Sequence, residues 1–415
     1  MKQKLIITVV AFMLALIAVG ESMIGGAAGA NGGNGLITAS SAESGTVLST
    51  SATNTTPAAI PSSSGGSALD VSGMFTERDL EQTANTDGAE TVTLVSGEDV
   101  TIDQEGVYVI SGEVSEVTIV VNAGDAAKVQ LVLDGVIITN ASAPAIYIES
   151  ADKAFISLTD SVNRLEVSGS YETASLDSVI ISKSDLTLNG TGSLEIVSAK
   201  GNGITSKDDL KITGGTYKLA VAVDGLKAND SIRIYDGAIT ITANKDALHS
   251  ENKEDTSLGY IYIYNGTLNI SAADDGIQGN AIVQIDGGVI NISTSSEGIE
   301  GTHVQINGGE ISIYATDDGI NAAEKSTYGI LLEINGGTTT ISMAGGDTDA
   351  LDSNGSLYIN GGTLHITANS AFDYNDSGAL NGGSVTVNGQ TVTQMTQSQM
   401  GGRGNMGGHG GKPFK

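Results

Sequence analysis

Asp224-Gly225-Leu226, Asp246-Ala247-Leu248, Asp275-Gly276-Ile277, Glu297-Gly298-Ile299, Asp318-Gly319-Ile320 and Asp349-Ala350-Leu351 repeat one pattern: an acidic residue, a small one, then an aliphatic one. The gaps between them are 22, 29, 22, 21 and 31 residues, so two gaps are the basic period plus an insertion. Asn202-Gly203-Ile204 extends the series upstream by 22, and Ser370-Ala371-Phe372 extends it downstream by 21. Each unit holds two further alternating runs, such as Val283-x-Ile285 and Ile290-x-Ile292, or Val304-x-Ile306 and Ile311-x-Ile313. Alternation at period two means short strands with the aliphatic residues facing inward. Three short strands per coil of about 22 residues, repeated in register, make an all-β solenoid. The expected fold is a right-handed parallel β-helix, since parallel crossovers are almost always right-handed.

The turn between the second and third runs carries Asp286, Asn307, Asn335, Asn360 and Asn381, followed by Gly287, Gly308, Gly336, Gly361 and Gly382. Asp236 and Asn265 replace this glycine in two coils. Only Gly, Asn and Asp enter left-handed backbone cheaply, so this slot is expected to be left-handed. The side chains ahead of it are placed to hydrogen-bond along the axis. No single coil buries enough apolar surface to offset its ordering, so each must lean on its neighbours.

Composition fits a core of small side chains: aromatics are only 4% of the chain against 56 glycines. Cysteine is absent, which excludes disulfides and thiolate metal sites. A net charge of −29 excludes a nucleic-acid partner and favours cations. Lys2 and Lys4 ahead of the apolar run Leu5–Val19 read as a signal peptide within residues 1–30, predicting a secreted or cell-surface protein with no membrane segment afterwards. Residues 31–70 read as a disordered Ser/Thr/Gly linker and 71–200 as irregular N-terminal coils with a cap. The regular helix is expected over 201–393, and 394–415 reads as a disordered Gly- and Met-rich tail.

Parallel stacking at about 4.8 Å turns the repeated acids into a column. It holds Asp224, Asp246, Asp275, Glu297, Asp318 and Asp349, flanked by Asp274 and Asp317, with Glu300, Asn321, Asp352 and Asp373 beyond the short strand. Two like charges at that spacing repel by about 3.5 kcal/mol at an effective dielectric near 20. Calcium relieves such a conflict, taking six to eight carboxylate, amide and carbonyl oxygens in flexible geometry. Magnesium demands stricter geometry, and four scattered histidines argue against zinc. The insertions Glu251–Gly259 and about 322–330 are expected to wall a cleft around these acids, where an anionic ligand binds through metal bridges. Tyr235 and Tyr264, at equivalent turns, are placed to stack either as a sugar platform or as turn filler. Lys227 is the candidate base if the protein is a lyase.

Phe75-Thr76-Glu77-Arg78-Asp79-Leu80, Tyr108-Val109-Ile110-Ser111-Gly112, Val129-Gln130-Leu131-Val132-Leu133-Asp134-Gly135, Ala151-Asp152-Lys153 and the Asp-Gly-Ile/Leu coils together resemble a known family. They look like the bacterial carbohydrate-binding-domain-containing proteins of polysaccharide-lyase-like (pectate-lyase-like) β-helix type, over roughly 75–385. The resemblance implies a secreted, calcium-binding β-helix that binds plant cell-wall polysaccharide, both cellulose and acidic galacturonan-type sugars such as polygalacturonate. It implies calcium ligands at the acidic coil positions and brings no catalytic machinery. Glu297 for Asp, and Ala247 and Ala350 for Gly, depart from the pattern. Three functions follow: calcium-dependent polysaccharide binding without turnover, a calcium-dependent lyase of acidic polysaccharide, or a structural surface protein or adhesin.

Overall fold

A computed structural model describes the backbone of residues 3–6 and residues 68–346 and 348–396 of the chain. Most of the expected signal peptide, most of the linker and most of the tail lie outside the described residues. Among the described residues, no helix is long and apolar enough to cross a membrane.

The body is a parallel β-helix whose coils have three sides. On the first side, Asn202–Ser206, Leu226–Ala228, Leu248–Ser250 and Ile277–Ile285 stack in parallel, followed by Ile299–Ile306, Ile320–Ala322, Asp349–Ser353 and Ser370–Tyr374. Two of those strands run on into the second side, which also holds Asp209–Ile212, Ser231–Ile234, Tyr260–Ile263, Leu331–Ile334 and Ser356–Ile359. The third side stacks Thr216–Val221, Ala238–Ala243, Thr267–Ala272, Val289–Thr294, Glu310–Ala315, Thr338–Met343 and Thr363–Thr367.

Register makes each inward position a column. Ile204, Leu226, Leu248, Ile277, Ile299, Ile320, Leu351 and Phe372 pair in succession, and all are buried. The same register sends Thr205, Lys227, His249, Gln278, Glu300, Asn321, Asp352 and Asp373 outward in one line. Period-two patterning therefore sets both the core and the surface that bears the acids. Ala247 and Ala350 fit where other coils have glycine, and both are fully buried.

The turn column is built as the sequence suggests, with one shift. Asn307 donates to Asp286 at 2.8 Å, Asn335 to Asn307 at 2.9 Å, Asn360 to Asn335 at 2.8 Å and Asn381 to Asn360 at 2.8 Å. The left-handed residue is the next one along, at Gly288, Gly309, Gly337, Gly362 and Gly383. The expectation for Gly287 and its equivalents is corrected on that point. A Cβ at Gly308 would lie 2.4 Å from the Asp286 carbonyl oxygen, so that glycine serves close approach between coils. This also explains why Asp236 and Asn265 stand one residue ahead of Gly237 and Gly266, both at positive φ.

The N-terminal region is built of coils of uneven length. Coils begin near residue 90 and pair in parallel through 200, with Leu131 opposite Ile156 and Ile156 opposite Leu188. Those steps of 25 and 32 residues hid the period, because longer loops between the strands do not disturb the pairing.

Residues 68–84 are neither linker nor coil. They run along the outside of the second side, from Gln305 back to Phe155, a span of about 30 Å at the usual strand spacing. Gln305 and Gln284 accept hydrogen bonds from the Ala68 and Leu69 amides. The single helical turn Glu77–Leu80, capped by Thr76, sets the buried Asp79 against Lys153 at 2.5 Å and Thr187 at 2.8 Å. The Arg78 guanidinium lies over Phe155. This strap ties the coils together from outside.

Candidate metal centre

The acidic column starts as a structural ladder. The Asp224 amide donates to the Asn202 side chain, the Asp275 amide to Asp246, and the Asp349 amide to Asp318, at 3.0–3.1 Å. Asn202, Asp246 and Asp318 therefore cap the backbone of the following coil, which explains the short polar residue in that slot. Asp224 and Asp246 are fully buried, and Asp275 nearly so.

The ladder divides by how its charge is answered. In the proximal part, Lys227 approaches Asp224 at 2.6 Å. Lys245 lies 2.8 Å from Asp246 and 3.5 Å from Asp224. His249 Nδ1 sits 2.6 Å from Asp246. Burial alone would raise the Asp246 carboxyl, but its bonds to His249 and Lys245 lower it to about 2. Here the chain supplies its own cations.

The distal part has fewer of its own. Asp275, Glu297 and Glu300 place carboxylate oxygens within 4.8 Å of one another. Gln278 bridges Asp275 and Glu300 at 2.5 and 2.7 Å, and Asn321 donates to Glu297 at 3.1 Å. Lys325 reaches Glu300 at 2.7 Å. Burial, then the neighbouring negative charges, push Asp275 and Glu297 far above the ordinary carboxylate range. Further along, burial and the adjacent acids raise Asp318 to about 6 and Asp352 to about 7. Glu297 Oε2 and Asn321 Oδ1 are buried with no hydrogen-bond partner, as is Asp224 Oδ1, but that one has the Lys245 ammonium 3.5 Å away. Two orphaned oxygens beside a cluster of carboxyl groups are acceptors that a proton or a bound cation would satisfy.

The donor set suits a hard cation. A calcium ion holds oxygens at roughly 2.3–2.6 Å, so two ligands lie at most about 5 Å apart. Asp275, Glu297 and Glu300 meet that limit, and Asn321 adds an amide oxygen. A second grouping joins Asp246, Asp274 and Asp275, with Asp274 exposed. A third, Asp224, Asp246 and His249, already contains its counter-ions. Asp352 and Asp373 stand opposite each other in register, Asp349 accepts from Ser370, and Asp317 is exposed. The expected column thus exists, but its members are not equivalent.

The expected cleft walls meet each other. Thr256 of the first insertion contacts Thr327 of the second at 3.1 Å, and Tyr328 donates to the Ser257 carbonyl. They join across the two intervening coils rather than standing apart, because those coils have only short connections there. Tyr235 and Tyr264 stack with ring centres 4.9 Å apart and planes 13° apart. Phe75 of the strap meets Tyr235 edge-on at 5.3 Å, so the pair docks the strap. Lys227 is held by Asp224, which suits a counter-ion better than a base.

Sequence reading missed Lys245, His249, Gln278 and Lys325 as members of the site. His249 and Gln278 were readable, since they stand three residues after a marker, as Lys227 and Glu300 do. Lys325 lies in an insertion, where the repeat gives no register.

A family model for the carbohydrate-binding domain-containing protein matches residues 96–350. The chain belongs to that family. A carbohydrate-binding domain-containing protein of Acetivibrio thermocellus is 33% identical over 198 residues, which are 46% of this chain and 69% of that protein. A solved structure described as the polysaccharide lyase-like protein from C. thermocellum, a gadolinium derivative, is 32% identical. It covers 53% of this chain and 92% of that chain, with a TM-score of 0.45. Within the carbohydrate-binding domain-containing family, the matched residues of this chain include the distal carboxylates and both insertions.

Proposed function

We propose that the protein is a secreted, calcium-dependent polysaccharide-binding protein that does not turn its ligand over. Membership of a carbohydrate-binding family supports a polysaccharide partner. The observation that carries the metal is the pair of buried, unpartnered oxygens, Glu297 Oε2 and Asn321 Oδ1, beside Asp275 and Glu300. Asp275, Glu297, Glu300 and Asn321 would hold the ion, which supplies positive charge for bridging to carboxylates of an acidic, galacturonan-type sugar. Asp274 and Asp317, both exposed, border the same column and keep it open to further cations. Cellulose is proposed as a second cell-wall ligand on the strength of the family resemblance.

Binding is favoured over lysis because the one candidate base, Lys227, is committed to Asp224 at 2.6 Å. Depletion of the protein by polygalacturonate gel and by cellulose, in calcium and in chelator, tests the reading. Calcium-dependent retention on polygalacturonate is expected, without growth of unsaturated-product absorbance. Retention that ignores chelator would remove the metal bridge, and product absorbance lost in Lys227→Ala would make the protein a lyase. Failure to bind either polysaccharide would leave the adhesin reading.

A further inference from the structure

The proximal and distal parts of the acidic column are neutralised by different devices. Lys227 and His249 stand on the column's own strands, and Lys245 on the residue just before a marker. Their backbone positions are fixed by the coil register. Lys325 is different: it belongs to the insertion that follows Ile320–Ala322, and its ammonium reaches back to Glu300 at 2.7 Å. Among the described residues, it is the single lysine or arginine within ion-pair distance of Asp275, Glu297 or Glu300. Its backbone is anchored, with its amide donating to Thr302 at 3.0 Å, and Thr302 donating to the Asn280 carbonyl at 2.8 Å. Its side chain is more than a quarter exposed, at 28%, so water lies within reach of the ammonium.

One ammonium cannot satisfy this site. Glu300 accepts from it, but Glu297 Oε2 and Asn321 Oδ1 stay buried without partners. A divalent ion would satisfy those two oxygens, and it would draw on the same Glu300 carboxylate that Lys325 now holds. Two cations sharing one carboxylate a few ångströms apart repel, so the ion and the ammonium compete for it.

We propose that Lys325 is a tethered competitor for the divalent cation: it holds Glu300 while the site is metal-free, and leaves for solvent when the ion enters. The insertion thereby sets the cation affinity of the distal column without supplying a ligand. The proposal rests on the calcium reading above and concerns the regulation of that site. A lysine on four rotatable bonds can swing clear while its backbone stays in place.

The test is calcium titration of the full chain by calorimetry after chelator treatment, for wild type, Lys325→Met, Lys325→Gln and Lys325→Arg. Thermal melts in chelator establish that each variant is folded, and the two neutral variants guard against a defect peculiar to one of them. The expected result is calcium affinity higher by roughly tenfold or more in Lys325→Met and Lys325→Gln, as loss of one competing charge requires. Lys325→Arg, which keeps the charge, should stay near wild type. A wild type that binds no calcium while Lys325→Met binds it would support the proposal in its strongest form. Equal or weaker affinity in both neutral variants, with wild type binding normally, overturns the competitor and leaves the calcium site standing. No binding by any of the four proteins removes the calcium site, and the competitor with it.

Discussion

Glu297 shows how much one side chain in this column gives up. One of its oxygens accepts from Asn321, while the other is buried without a partner beside Asp275 and Glu300. At a pH high enough to ionise Glu297, whose carboxyl burial and its acidic neighbours push up, a neutral isostere keeps the first bond and removes the repulsion. Glu297→Gln should therefore raise the melting temperature in chelator by a few degrees, corresponding to about 1 kcal/mol. The same substitution should abolish most of the rise in melting temperature that calcium gives the wild type. Paired melts, with chelator and with calcium, check both signs at once. A Glu297→Gln protein less stable than wild type in chelator would mean the carboxylate is already compensated. The acidic marker itself was legible in the sequence, because its spacing equals one coil. Its inequality was not: Asp246 and Glu297 occupy the same slot, and only the three-dimensional position of Lys245, His249 and Lys325 separates them.

Among the elements, the strap of residues 68–84 was the least legible. It has neither period two nor a helical period, and it contacts coils 74 to 237 residues away in sequence. The clue that existed was Thr76-x-x-Asp79, a helix cap whose acid also serves the coil surface. Asp79 is fully buried, and burial opposes its charge. The hydrogen bond and charge of Lys153, the Thr76 amide and the charge of Lys211 prevail, holding the carboxyl well below the usual range. A depressed folded value means the stabilisation is complete above the unfolded carboxylate value, near pH 4, and is lost as pH falls through the folded one. The strap should hold from neutral pH down to about 4, then release under stronger acid. Asp79→Asn should cost about 3–5 kcal/mol, since it leaves a buried lysine without its anion. It should also flatten the acid limb of the stability curve. Denaturant melts across pH 2 to 7, scored as midpoints for both proteins, decide it: parallel curves would show that Asp79 does not govern acid release. The Asn turn ladder is the opposite case, an element legible in full except for which of its glycines turns left-handed. Close approach and positive φ both select glycine, so two adjacent glycines look alike in sequence.

At the scale of the molecule, the solenoid makes stability local, because each coil touches only the coils beside it and the strap. The unequal column therefore implies an unequal response to metal. Proximal coils, where Lys227, Lys245 and His249 answer Asp224 and Asp246, have their charges compensated whether or not calcium is present. Distal coils around Asp275, Glu297 and Glu300 carry buried acids and two unpartnered oxygens. Removal of divalent ions should loosen the strands Ile277–Ile285, Ile299–Ile306 and Ile320–Ala322. Asp185–Gly190, Asn202–Ser206 and Leu226–Ala228 should be unaffected. Native-state hydrogen exchange in calcium and in chelator reads this directly, as a loss of protection confined to the distal strands. Exchange that rises evenly along the rod would mean that metal acts on the whole fold, and exchange unchanged everywhere would mean that no metal binds. The gradient follows from a change in what stands three residues after each marker, from Lys and His through Gln to Glu, while the buried aliphatic column beneath it stays constant.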